Sequence, residues 1–201
     1  MRGNSYAPAM DPFLALDVAQ SEFDRRLSTV TDAQWETPTP CEGWTVRDLV
    51  IHVISGNKMT VRILGGGSKE EAMADLEGSP ALRAERDLYA AFVASADEQA
   101  KAFREPSALD RTVHHPAMDM SGAQQLGFRT GDLALHAWDL ARAIGGDEQL
   151  DEDLVQHVWD GLQPMAPFIG EIGVFGTGPS GGVGEDAPLQ QRLLDLSGRR
   201  P

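Results

Sequence analysis

RTGDLALHAWDLARAIG, residues 129–145, reads as one helix that stops at a glycine pair, Gly145-Gly146. It sets Asp132 and His136 four residues apart, one above the other on a single face. Phe128, Leu135, Leu140 and Ala143 flank or extend that stripe, so the face is expected to be buried. Two polar side chains on a buried face are costly unless something pairs with them. A divalent cation held between a carboxylate oxygen and an imidazole nitrogen is one such partner. A plain Asp–His hydrogen bond, or one residue turned to solvent, satisfies the same spacing, so the wider pattern has to decide.

The candidate third ligand is His52. Thr45 followed by Asp48 resembles a capping box, and the helix it opens continues through VRDLVIHVISGNKMTVRIL to about residue 64. Leu49, His52, Gly56, Met59 and Ile63 share one stripe, which points His52 along the buried face. Gly56, one turn on, is expected to leave open space of the kind a cavity needs. A single buried histidine is also compatible with an ordinary hydrogen-bonded core residue.

Outward from these two helices, the chain reads as more helices joined by loops. A first helix spans about 11–29, with Asp11 as N-cap and Pro12 at the first helical position. Residues 31–44, TDAQWETPTPCEGW, are extended because of Pro38 and Pro40, with Trp35 and Trp44 pinning the segment to the bundle. A Gly-rich connector and a short helical turn at 69–77 lead to a helix over 80–103. Residues 105–120 are irregular, with a short strand near 112–114; adjacent His114 and His115 point opposite ways there, so at most one faces the site. Ser121 is the expected N-cap of the helix that ends at Gly145. A further helix covers 151–163, a Gly/Pro-rich loop covers 167–188, and LQQRLLDL forms a closing helix.

The expected architecture is all-α: a four-helix bundle over 1–166, then a Gly/Pro-rich extension with a short helix over 167–201. Bundles build metal sites from side chains on facing helices. A formal charge of −14 with scattered basic residues argues against a nucleic-acid partner. No apolar run approaches the ~20 residues of a membrane span. The N-terminus, MRGNSYAPAMDPF, lacks the apolar core of a secretory signal, so a soluble, cytoplasmic protein is expected. Cys41 is the one cysteine, which excludes an internal disulfide.

PCEGWTVRDLVIHVISGN (40–57) followed by GDLALHAWDLARAIG (131–145) resembles the DinB/YfiT-like metalloprotein superfamily. More closely, it is similar to an actinobacterial branch related to the N-terminal domain of mycothiol-dependent maleylpyruvate isomerase, as is the ending EDAPLQQRLLDLSGRRP. The resemblance implies a DinB-like bundle with zinc or nickel near one end. His52 matches the ligand of the earlier helix and His136 the last ligand. Many members read HxxxH on the later helix and the isomerase branch ExxxH; this chain reads DxxxH. Asp132 is one methylene shorter than Glu, which leaves direct and water-mediated binding both open. The resemblance also implies mycothiol as co-substrate, bound at the metal and adding to an electrophile. Isomerases of this type carry a further C-terminal domain. The roughly 35 residues after 166 are too few for one, so the resemblance extends to the metal bundle and not to that specific activity.

Two imidazoles and a carboxylate leave a cation an open position, the mark of a catalytic rather than a structural site. A thiol or water there loses its proton near neutral pH. The first functional reading is therefore a metal-dependent thiol transferase or isomerase acting on a small-molecule thiol and an electrophile. The alternative is a non-catalytic metal- or small-molecule-binding bundle of stress or regulatory type. A metal-dependent hydrolase ranks last, because no general base is evident besides Asp139. A homodimer is compatible with either of the first two. Around the ligands, Asp139 is placed to orient a histidine N–H or to pair with Arg47 or Arg142. Cys41 either reaches the bundle mouth as ligand or reactive thiol or is a small buried residue. Arg129 is a candidate for binding a carboxylate of substrate or thiol.

Overall fold

A computed structural model describes residues 10–169 and 178–201. The N-terminal stretch 1–9 and part of the expected loop, 170–177, lie outside the described residues. Asp11 accepts from the backbone N–H groups of Phe13 and Leu14 and opens α1 (Pro12–Leu27). Thr45 and Asp48 form the expected reciprocal cap of α2 (Val46–Leu64). Ser68 with Glu71 does the same for α3 (Lys69–Leu76), and Ser79 caps the single turn α4 (Pro80–Arg83). Then follow α5 (Leu88–Phe103), α6 (Gly122–Ile144) and α7 (Glu152–Leu162), a 3-10 stretch (Gln163–Phe168) and α8 (Leu189–Leu196).

The bundle is made by α1, α2, α5 and α6: α1 lies along α6 and touches α5, while α2 lies along α5 and meets α6. Phe23, Leu49, Ile54, Phe92, Leu126, Leu133 and Trp138 fill the space between them. Among the described residues the fold is all-α apart from a small hairpin of β1 (Thr112–His114) and β2 (Asp119–Ser121), with Val113 opposite Met120. Among the described residues, no helix is long and apolar enough to cross a membrane.

The helix expected over 80–103 is two helices. The chain breaks after Arg83, where the Glu85 side chain accepts from the N–H groups of Arg86 and Asp87, and Asp87 then caps α5. Arg47 donates to the carbonyls of Arg83 and Glu85 across the break. Arg47 therefore belongs to this corner and does not face Asp139. The 3-10 stretch runs to Phe168, into the segment expected as loop. The C-terminal extension folds back on the bundle: α8 packs on α7 and buries Leu193, Leu194 and Leu196.

Candidate metal centre

The hairpin that precedes α2 places a lid on the site. Thr39 N–H donates to the Trp44 carbonyl and Val46 N–H to that of Thr37, so the extended Pro segment turns back between them. The reversal is a turn from Cys41 to Trp44 with Gly43 at φ 78°, the left-handed position that such a turn reserves for glycine. It carries the Trp44 indole to 4.7 Å from the His52 ring and 6.1 Å from the His136 ring. It also carries the Cys41 thiol to 3.9 Å from His136 Nδ1.

Beneath Trp44, α2 and α6 bring His52, Asp132 and His136 together, with one donor atom from each lying within 4.8 Å of the others. Asp132 Oδ1 stands 3.4 Å from His136 Nε2 and 3.8 Å from His52 Nε2. Those separations are long for hydrogen bonds. They are close to the ~3.3 Å between two ligand atoms that share a tetrahedral zinc at ~2.0 Å each. The side chains of His52 and Asp132 keep 24% and 13% exposure, so the site is reached from solvent. The donor set and spacing therefore fit a divalent cation with a free coordination position.

The other nitrogen of His136 is already engaged. Nδ1 lies 2.9 Å from Asp139 Oδ2, a carboxylate with a fully buried side chain. An imidazole that donates from Nδ1 can bind a cation through Nε2 once that nitrogen gives up its proton, and here Nε2 is turned toward Asp132 and His52. Asp139 in turn accepts from Arg199 through both oxygens, at 3.2 Å and 2.7 Å, and from the Cys41 thiol at 3.3 Å. Cys41, His136 and Asp139 form a second cluster of metal-capable groups. The Arg199 fork occupies that carboxylate, so the first cluster is the better cation site. Neither His114, paired with Asp119 on the surface, nor His115, against the Phe128 ring, belongs to such a cluster among the described residues.

Arg129 is not free to bind substrate. Its guanidinium is buried between α2 and α6, paired with Asp132 Oδ2, and donates to Asn57 Oδ1 at 2.8 Å and to the Val53 carbonyl. Asn57 passes the network on to Ser95 at 3.0 Å and so to the Phe92 carbonyl on α5. The space expected beside Gly56 is thus filled: a Cβ there would collide with the Arg129 guanidinium. Gly56→Ala is expected to displace that group and cost about 1–3 kcal/mol, as overpacking does, read as a lower urea midpoint. A midpoint at the wild-type value would show that Arg129 has room to move.

Burial raises the cost of charge on every member, and charge pairing overrides it at three. Burial pushes Asp132 up, but the charges of His136 and Arg129, with the two imidazoles turned toward it, hold it well below the usual carboxylate range. Burial likewise opposes ionisation of Asp139, yet His136 and Arg199 bring it down to about 2. His136 is pushed down by burial and held well above 6.5 by the charge of Asp132 and the contacts of its Nδ1 with Asp139 and Cys41. His52 ends below its ordinary value because burial outweighs Asp132.

A family model described as the mycothiol maleylpyruvate isomerase N-terminal domain matches residues 16–141. The chain belongs to that family. Uncharacterized proteins from two strains of Mycobacterium tuberculosis are each 34% identical over 145 residues, covering 72% of this chain and 74% of their own. The crystal structure of the mycothiol-dependent maleylpyruvate isomerase is similar with a TM-score of 0.61 and 19% identity, over 87% of this chain and 72% of that one. A mutant form of that enzyme gives 0.58 and 21% over the same shares. At those identities the likeness speaks for the DinB-like fold. The isomerase N-terminal domain match includes His52, Asp132, His136 and Asp139, and ends before Arg199. Arg199 and the placement of Trp44 over both imidazoles were not read from the sequence. The one signal for the first was a Gly-Arg-Arg directly after an amphipathic helix.

Proposed function

We propose that this chain binds a divalent cation, zinc or nickel, on His52, Asp132 and His136, and that it is a thiol-dependent transferase or isomerase. Its co-substrate is a low-molecular-weight thiol of mycothiol type, and its substrate is an electrophile such as the maleylpyruvate named for its relatives. One observation carries the reading: three donor atoms converge at coordination spacing, on a histidine whose other nitrogen is held by a buried carboxylate. When bound, the cation would supply Lewis acidity that keeps a thiol ionised at neutral pH.

The chain's own charges favour an anion as the remaining ligand. Arg129 cancels the charge of Asp132, and Arg199 cancels that of Asp139. With both histidines neutral, nothing in this set offsets a dication, so a thiolate or carboxylate is attracted where a neutral ligand is not. Trp44 shields one side of the two imidazoles from water, and Arg129 keeps Asp132 Oδ1 turned toward them by holding Oδ2.

The test is metal analysis of protein purified without chelator, then replacement by cobalt(II) and titration with mycothiol. The expected result is one equivalent of metal and a thiolate-to-cobalt absorption band that an S-methylated thiol does not produce. Turnover of maleylpyruvate and other electrophiles with mycothiol then defines the reaction. Protein that holds no stoichiometric metal, or holds it with no response to thiol, overturns the reading. The second of those results favours a non-catalytic metal-binding bundle.

A further inference from the structure

We propose that Arg199, delivered by the C-terminal segment, is a positioning residue for the metal centre: it fixes the buried Asp139 carboxylate so that Asp139 aims His136 at the cation. The inference rests on the metal reading above, and it adds a residue from outside the matched stretch 16–141.

The chain invests several contacts in bringing Arg199 there. Leu193, Leu194 and Leu196 dock α8. After α8 the backbone turns at Gly198, φ 80°, with Gly198 N–H on the Asp195 carbonyl at 3.0 Å and Arg199 N–H on that of Leu194 at 2.8 Å. Arg142 holds the next residue through the Arg200 carbonyl at 3.1 Å. The result is an Arg side chain, only 11% exposed, that meets a carboxylate 60 residues earlier in a two-pronged contact.

That contact is needed for Asp139 to act on His136. A buried carboxylate must be paired or it protonates or swings away. Among the described residues, its other hydrogen-bond partners are the His136 Nδ1 and the Cys41 thiol, and both use the same oxygen, Oδ2. Among the described residues, Arg199 supplies the permanent countercharge beside it, one that a metal-bound, neutral His136 cannot, and the partner for Oδ1. A planar fork also sets the plane of the carboxylate, which a single N–H cannot do. With that plane fixed, Nδ1 of His136 has one acceptor in one place, and Nε2 is aimed accordingly.

The full chain is tested by metal affinity with a competing chelator. Arg199→Ala should raise the dissociation constant for zinc about 10–100-fold, the usual cost of losing a group that orients a ligand. Arg199→Lys keeps the charge and one hydrogen bond but not the fork, and should recover only part of that loss. In an Asp139→Asn background, adding Arg199→Ala should cost less than about twofold, because the two act in series. A metal-free readout runs beside these. The hydrogen-bonded Nδ1 proton of His136 should be visible by NMR in the wild type and in Arg199→Lys, and lost in Arg199→Ala. Wild-type zinc affinity in Arg199→Ala, additive losses in the double variant, or an unchanged Nδ1 proton would each overturn the proposal. If the wild type takes up no zinc, the metal reading fails by itself. The proton signal then still decides whether Arg199 positions His136.

Discussion

Replacing Asp132 by alanine is expected to abolish stoichiometric metal binding and, in metal-free protein, to lower folding stability by about 3–5 kcal/mol. The two effects have different causes. The first is loss of the only anionic ligand of the set. The second concerns Arg129, whose guanidinium is buried between α2 and α6 and has Asp132 as its charged partner. Asn57 and the Val53 carbonyl accept from it but carry no charge, and its Nε has no hydrogen-bond partner among the described residues. Removing Asp132 therefore leaves an uncompensated buried cation, one of the few changes that cost this much. Urea unfolding in the presence of chelator reads the stability, and equilibrium dialysis reads the metal. Pairing Asp132→Ala with Arg129→Met should restore much of the stability and none of the metal binding, since the orphaned charge goes while the ligand stays missing. A single variant that loses metal at wild-type stability would mean that Arg129 does not depend on Asp132.

The parts of this arrangement that were legible are those written in short spacings. Asp132 and His136 share a face because they are four residues apart, and Ser121 and Gly145 bound their helix as their side-chain and backbone chemistry dictates. The cap at Thr45 and Asp48 fixed where α2 begins, and with it the face on which His52 lies. What stayed hidden depends on distant partners. The break between α4 and α5 is held partly by Arg47, nearly 40 residues away, and its local signal, Asp87 as an N-cap inside 80–103, is equally compatible with a charged outer helix face. Gly56 was ambiguous by nature: a glycine reads equally as empty space or as close approach, and here the Arg129 guanidinium takes the place of the missing side chain. Asp139 had three candidate partners within reach of sequence reasoning, a ring N–H, Arg47 and Arg142. The ring is the one it meets, while Arg142 pairs with Glu148 and the cation at Asp139 arrives from Arg199. A buried charge demands a partner but does not say from which part of the chain it comes.

Metal affinity is expected to fall about tenfold for each pH unit below the pKa of His136 in the metal-free protein, with one proton released per cation bound. His136 is the group responsible, because a cation needs its Nε2 deprotonated and the metal-free site resists that. Burial alone would favour the neutral ring, but the charge of Asp132, with the Nδ1 contacts to Asp139 and Cys41, keeps the proton on well above 6.5. His52 contributes no second proton near neutrality, since burial has already moved it below 6.5. The slope should therefore be one across the neutral range and steepen only in acid, once His52 also protonates. The stability linkage runs in opposite directions in the two forms. In metal-free protein the raised His136 pKa contributes stability that is complete below the unfolded value near 6.5 and is lost as pH rises through the folded pKa. The metal-loaded protein gains on the same rise, because fewer protons compete for the ligand. The gap in unfolding midpoint between loaded and stripped protein should then widen from mildly acid to mildly alkaline pH. Chelator competition and proton release in weak buffer measure the same slope independently. An affinity that does not change across neutral pH would place the cation on groups other than His136.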